Sequence, residues 1–333
     1  MIISRTPYRL SLFGGGTDFP TWFRERGGAV LTTSINRYCY VSLRNLPPFF
    51  DHRFRVVYSQ IENVREVSEI QHPVVRAVLE RSEIQEGIEI HHDGDLPAMS
   101  GIGSSSAFAV GLLNCIREYR GESTSSWKLG HGAVEIERHI LKEVGGYQDQ
   151  FACALGGVNL IRFHEDGRVE SSSDVELEVG ARRLSRWLML LYSGGVRSSN
   201  DVQRTLGEQP ATRERVLTRL RLMVDEGAQL IRTFSSENAV EVGALLQESW
   251  DLKRSLNHHA ESAELAELAT WMKAHGSLGG KISGAGGGGF ALFCVPPDRH
   301  SEIISNLPSK WLHVPFSFEN TGSSIIFNDS NTH

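Results

Sequence analysis

Apolar residues along this chain gather first into two β-type runs, 1–12 and 28–44, the second containing the β-branched and aromatic stretch "YCYVSLR". A glycine-rich turn separates them. "GIEIHHDGDLP" (87–97) alternates like a half-buried strand, and the nearly unbroken apolar run at 107–119 predicts a buried helix. A second helix is predicted over 127–144, closed by Gly145-Gly146, and "YQDQFACAL" reads as a shorter helix stopped by Gly156-Gly157. "GVNLIRF" then predicts a strand. The polar stretch 164–182 lacks a strong period, which fits an edge strand and a junction between domains. "WLMLLY" opens a fresh core strand. From about 200 to 275 the pattern is mainly helical, followed by strands at "GGKIS" and "GFALFCV", a helix near 298–306 and closing β runs. Strand and helix runs segregate rather than alternate, which predicts an α+β fold with domains at 1–180 and 181–333.

The 333 residues are 40% hydrophobic and 22% charged, enough for a sizeable core. Forty acidic side chains against 34 Lys and Arg give a net charge of −6 with no basic stripe, which argues against a nucleic-acid binder. Cys39, Cys115, Cys153 and Cys294 stand far apart with no C-x-x-C pair, so the expectation is a reduced, cytoplasmic chain with neither zinc site nor disulfide framework. Arg5 and Arg9 interrupt the apolar N-terminus in a way a signal peptide does not, and no apolar run reaches the length of a membrane span.

Three glycine-rich sites remain: "FGGGTDF" (13–19), "SGIGSSSA" (100–107) and "SGAGGGGF" (283–290). The third formally contains G-x-G-x-x-G at Gly284, Gly286 and Gly289, but a strand-like run follows where a dinucleotide fingerprint requires a helix. Its glycines form either a flexible strand-to-strand turn or, since four in a row exceed what a turn requires, a close approach of backbone to a ligand. The middle loop opens a helix, whose first N–H groups and positive dipole end favour an anion. Gly101 and Gly103 would let a phosphate reach the backbone, while one of Ser104, Ser105 and Ser106 can cap the helix and another meet a metal ion or phosphate oxygen. The rival reading is three serines capping an ordinary helix. No G-x-x-x-x-G-K-[ST] occurs, so this is not a Walker A loop.

"PAMSGIGSSSA" resembles the phosphate-binding motif of the GHMP kinases, the superfamily of galactokinase, homoserine kinase, mevalonate kinase and phosphomevalonate kinase. "TPYRLSLFGGGTDF" is similar to that family's P-x-R strand and T-D turn, and "GGKISGAGGGGFALF" to its C-terminal glycine motif. The three stand in the family's order over most of the chain. "GGGTDFP", "YQDQFACALGG" and "SWDLKRSL" look most like the sugar-kinase branch that acts on heptose phosphates. This resemblance implies a ribosomal protein S5 domain 2-like N-terminal half, a ferredoxin-like C-terminal half with helical insertions, and a site between them. It implies ATP and Mg²⁺ as cofactors. The implied acceptor is D-glycero-D-manno-heptose 7-phosphate, phosphorylated at its anomeric oxygen on a route to GDP-heptose for capsule or surface glycans. A kinase for a free sugar such as fucose or galactose is one rival, and a catalytically silent nucleotide- or sugar-binding regulator is another. Small molecules are the expected ligands, with no nucleic acid or membrane, on a monomer or homodimer.

On the matched positions, the resemblance gives the backbone of Gly101, Ile102, Gly103, Ser104, Ser105 and Ser106 as a phosphate cradle. It gives Ser105 and Glu137 as magnesium contacts and Asp149 as the base for the sugar hydroxyl. Near a helix start, Asp149 is expected to stay ionised. Arg9 fills the P-x-R position and would stabilise phosphoryl charge or hold Asp149 ionised. Asp18, with Gly15, Gly16 and Thr17, is implied to contact sugar hydroxyls, and Gly286 and Gly287 to lie beside the acceptor. Arg197 is the candidate for the acceptor's 7-phosphate, with Lys253 or Lys281 as substitutes. The bland readings are a solvated Glu137, a capping Asp149, a salt-bridging Arg9 and a turn Asp18. The pairs His91-His92 and His258-His259 are read as ordinary histidines, because adjacent side chains diverge.

Overall fold

The computed structural model describes residues 1–84, 86–194, 210–256, 261–284 and 289–329. The two early apolar runs form β1 (Ile2–Phe13) and β2 (Gly28–Asn45), paired antiparallel along nearly their whole length. β2 carries two neighbours in turn on its other edge. Residues 28–33 pair with β6 (Val158–Phe163), and residues 39–45 with β5 (Ile88–Gly94). β3 (Phe54–Val57) runs parallel to β5, while β4 (Ile61–Val64) and β7 (Val169–Ser172) lie at outer edges. Among the described residues this sheet has eight strands. Its last member, β12 (Ser324–Asn328), returns from the far end of the chain to pair with β1.

The apolar run at 107–119 lies in α3 (Ser104–Tyr119), where every side chain from 106 to 116 is buried against β1, β2 and the neighbouring helices. The helix predicted over 127–144 takes a different course. α4 (Ser126–Val134) widens into a π-helical turn, Glu135–Ile140, marked by the Leu141 N–H reaching the Ile136 carbonyl at 2.9 Å. Past Leu141 the chain leaves the helix, with Lys142 at φ +54°. α5 (Gln148–Leu155) then packs on α3 and α4.

The polar stretch 164–182 holds the edge strand β7 and also a helix, Val175–Ser185, capped by Asp174, whose carboxylate accepts the Leu177 N–H at 2.8 Å. Its buried stripe is Leu177, Gly180, Ala181 and Leu184, so two of the four positions carry too little apolar surface to show a period. Helices Pro20–Arg26 and Pro73–Ser82 and strands β3 and β4 are further elements the pattern did not single out.

Among the described residues, four antiparallel strands form the second sheet in the order β11 (Leu312–Val314), β8 (Leu188–Tyr192), β10 (Phe290–Cys294), β9 (Gly279–Ile282). Period-two alternation splits β8 between two cores. Leu188 and Leu190 join the main core, while Met189 and Leu191 meet Trp250, Leu268, Met272 and Phe293 on the opposite face. Helix Ala239–Leu256 packs on β9 and β10, Ala263–Ala274 joins the core on the Met189 face of this sheet, and Pro210–Arg232 packs on Ala239–Leu256, Val175–Ser185, β1 and β2. No described helix is long and apolar enough to cross a membrane, and all four cysteines are buried and free.

Candidate active site

β1 carries Arg9 into the interior. Its Nε and Nη2 donate to Asp149 Oδ1 and Oδ2 at 2.7 and 2.6 Å, a two-point pair, and its Nη1 donates to the Gly101 carbonyl at 2.7 Å. Asp149 lies in the first turn of α5 and keeps an edge open, with 29% of its side chain exposed. Burial alone would raise its pKa, but the Arg9 guanidinium outweighs burial and holds the carboxyl below the usual range.

After β1 the chain turns through Gly14 and Gly16, both at positive φ. Asp18 Oδ1 accepts the Gly16 N–H at 2.9 Å and Oδ2 the Gln148 N–H at 3.1 Å. Burial raises the Asp18 pKa against those two donors, with Asp149 adding to the rise. A Cβ on Gly146 would lie 1.8 Å from Asp18 Oδ2, so the second glycine after the π-turn clears space for this carboxyl. Thr17 does not face the cleft, contrary to its implied sugar contact. It is 0% exposed, and its hydroxyl shares its one proton between the carbonyls of Gly14 and Ala29, at 2.9 and 2.7 Å, and accepts the Ala29 N–H at 3.2 Å, so it holds the turn closed. Thr17→Val is therefore expected to cost about 1–3 kcal/mol by leaving those carbonyls short of a donor. Thermal denaturation should read this as a Tm lower by several degrees.

None of the three serines caps α3. Its N-cap is Gly103, at φ +75°, and no described side chain bonds the first-turn N–H groups. Ser104 instead accepts the Met99 N–H at 3.1 Å. Ser105, the exposed one of the three, donates to Glu137 Oε1 at 2.8 Å, and Ser106 donates to Oε2 at 2.8 Å, where Gln150 also donates. The π-turn thus aims Glu137 at the start of α3 rather than at solvent, leaving it 1% exposed. Among the described residues no cation pairs with it. A buried carboxylate lacking a countercharge, beside an exposed serine hydroxyl, fits a divalent cation of the magnesium kind. Ile102 is a core side chain whose carbonyl takes the Arg9 N–H at 3.1 Å, so only its own N–H remains for a ligand.

The third glycine segment locks onto the other two. Ser283 Oγ donates to the Gly101 carbonyl at 2.9 Å, and a Cβ on Gly284 would lie 2.5 Å from Gly101 Cα. Lys281 is 1% exposed, and its ammonium donates to the carbonyls of Ser11 and Leu12 at 2.6 and 2.8 Å, where β1 bulges out of register with β2. It is spent as a tie between sheets and is not available to a phosphate. Arg197, Gly286 and Gly287 lie outside the described residues, as do His258 and His259. His91 meets Glu89 at 2.6 Å and His92 packs on Phe108, and no described cluster of His, Cys, Asp and Glu could hold a metal by itself.

The model of the GHMP kinases N terminal domain matches residues 69–157, and that of the GHMP kinases C terminal matches residues 230–313. The chain belongs to the GHMP kinases. As such it is an ATP-dependent phosphotransferase acting on a hydroxyl. This GHMP kinase is 26% identical to the D-glycero-alpha-D-manno-heptose 7-phosphate kinase of Campylobacter jejuni, over 96% of its own length and 97% of the relative's. It is 23% identical to the L-fucokinase/L-fucose-1-P guanylyltransferase of Bacteroides fragilis, over 91% of its length but 35% of that larger protein. A solved D-glycero-D-manno-heptose 1-phosphate kinase from Bacteroides thetaiotaomicron shares the fold, with a TM-score of 0.78 at 23% identity over 97% of this chain and 98% of that one.

Several residues of the GHMP kinase site escaped the sequence reading. Gln148, Gln150 and Ser283 have common polar side chains whose importance comes from partners more than 10 positions away. Ser11 belongs with them, since its hydroxyl donates to Gln148 Oε1 at 3.0 Å. The buried role of Lys281 had one legible signal: a lysine inside an otherwise apolar strand, where an unpaired charge is costly.

Proposed function

We propose that this kinase transfers the γ-phosphoryl of ATP to the anomeric hydroxyl of D-glycero-D-manno-heptose 7-phosphate, giving the 1,7-bisphosphate on a route to GDP-heptose for capsule or surface polysaccharide. The observation that carries the reading is the two-point Arg9–Asp149 pair beside the Asp18 carboxyl. The match to the Campylobacter jejuni heptose 7-phosphate kinase along both chains supports this choice of acceptor. The cleft lies between an N-terminal domain, 1–180, and a C-terminal domain, 181–333, whose last strand β12 crosses back to pair with β1, in a cytoplasmic enzyme.

Asp149 accepts the proton of the anomeric hydroxyl as its oxygen attacks the γ-phosphorus and ADP departs. Arg9 keeps that base ionised and adds positive charge where negative charge spreads. Asp18 orients the sugar, because each carboxylate oxygen can accept a second hydrogen bond beyond its backbone donor. The free N–H groups opening α3 hold phosphate oxygens. Glu137 and Ser105 hold Mg²⁺, which supplies neutralisation of the phosphate charge. Arg197 remains the candidate for the distal phosphate.

Steady-state ADP release with Mg-ATP tests the reading against D-glycero-D-manno-heptose 7-phosphate, mannose 6-phosphate, fucose and galactose, with NMR of the product. Preference for the heptose, with the new phosphate on C1, is expected. Preference for fucose or galactose would replace it with a free-sugar kinase, a reading favoured by the likeness to the fucokinase. Tight ATP binding with no turnover on any acceptor would mark a silent regulator.

A further inference from the structure

Helix Ala239–Leu256 buries Leu246 and Trp250, and Lys253 continues the same stripe at the next helical step, where an apolar residue would serve packing better. Its ammonium arrives in the site instead. Nζ donates to the Gly284 carbonyl at 3.0 Å, and among the described residues this is its hydrogen-bond partner, leaving further N–H donors for a ligand. No described carboxylate comes within ion-pair distance of it. A half-buried ammonium with so few partners is costly unless something else completes its shell.

The space beside it is polar on three sides. A Cβ on Gly15 would lie 3.1 Å from Ser11 Oγ, 3.6 Å from Lys253 Nζ and 3.7 Å from Gln148 Oε1. The missing side chain therefore opens a niche in which the ammonium stands beside two side-chain oxygens, Ser11 Oγ and Gln148 Oε1, that are hydrogen-bonded to each other at 3.0 Å. We infer that Lys253 is an acceptor-binding residue, its ammonium taking an oxygen of the sugar in the niche bared by Gly15. This rests on the reading of the acceptor as a sugar or sugar phosphate and adds a contact from the C-terminal half of the chain.

Burial, and after it the positive charge of Arg9, lowers the Lys253 pKa to about 8 against the pull of Asp18 and Asp149, and Lys281 adds a further neighbouring cation. The protonated form binds, so affinity for the acceptor is present below about pH 8 and falls as pH rises through it.

The test is the KM for each substrate as a function of pH in wild type, Lys253→Met and Lys253→Arg, using the acceptor that turns over fastest. Expected are a KM for the acceptor raised about ten- to hundredfold in Lys253→Met with KM for ATP within about twofold, and an alkaline loss in wild type that Lys253→Arg abolishes. An unchanged acceptor KM in Lys253→Met, or an equal rise in KM for ATP, would overturn the inference. Labelling of Lys253 by trinitrobenzenesulfonate reads the contact without turnover. Sugars or sugar phosphates of the panel should slow it, and a non-hydrolysable ATP analogue alone should not. If nothing in the panel is phosphorylated, the proposed function fails, and absence of protection by every sugar tried would separately sink the role of Lys253.

Discussion

Asp149→Asn is expected to lower kcat by about 10²–10⁴-fold, the usual contribution of a general base, with KM for ATP changed less than about threefold. The amide keeps the shape of the carboxylate but accepts no proton. It also leaves Arg9 buried without its anion, and breaking a buried pair costs about 3–5 kcal/mol, toward the lower end here because Asp149 keeps an exposed edge. Arg9→Met tests the same pair from the other side. With the cation gone, burial is opposed only by the weaker pull of Arg138 and Lys253, and the Asp149 pKa rises from its depressed value. The acid limb of the pH–rate profile should then move toward neutral pH. In wild type the depressed pKa works the other way: the pair's stabilisation is fully present above about pH 4 and is lost as pH falls through the folded-state value. The double variant should lose less stability than the two singles added together. Near-normal turnover by Asp149→Asn would remove Asp149 as the base.

Gly101→Ala should damage the site through a single methyl group. Gly101 sits at φ +85°, where a Cβ is strained, and the added atom would lie 2.4 Å from the Ser283 carbonyl oxygen. That neighbour is backbone on β9's outgoing loop and cannot rotate away. The same residue's carbonyl accepts from both Arg9 and Ser283, so a shift of the loop disturbs the Arg9–Asp149 pair and the junction of two glycine segments together. We expect kcat/KM for ATP to fall about a hundredfold, the scale of a misplacement near 1 Å. Gly121→Ala is the control: φ is +66°, but nothing lies within 4 Å. It should carry backbone strain of about 1–2 kcal/mol and leave the kinetics unchanged. Equal kinetics in the two variants would mean that the packing of Gly101 against Ser283 is not what holds the phosphate loop in place.

Read alone, the sequence determined the class of the fold, its principal strands and α3, and the family, because these rest on local information: period-two and unbroken apolar runs, and three glycine motifs in order. It also pointed to Arg9, Asp18, Ser105, Glu137 and Asp149, through matched motif positions rather than through any contact visible in one dimension. What joins them was decided by tertiary structure. The π-turn that aims Glu137 at Ser105 and Ser106 has no local pattern, since the same residues read as a continuous helix. Thr17 belongs to a sugar motif by sequence, yet its hydroxyl is consumed by carbonyls of the turn at Gly14 and of β2 at Ala29. The helix at Val175–Ser185 hides behind small buried residues. The final apolar run could have joined either sheet, and β12 joins β1 because Thr6, Asn114 and Ser323 hydrogen-bond across more than 200 positions. Lys281 and Lys253 look alike in sequence. One spends its charge on the bulge in β1 and the other holds its donors open beside Gly15, a difference set by which buried carbonyls each ammonium can reach.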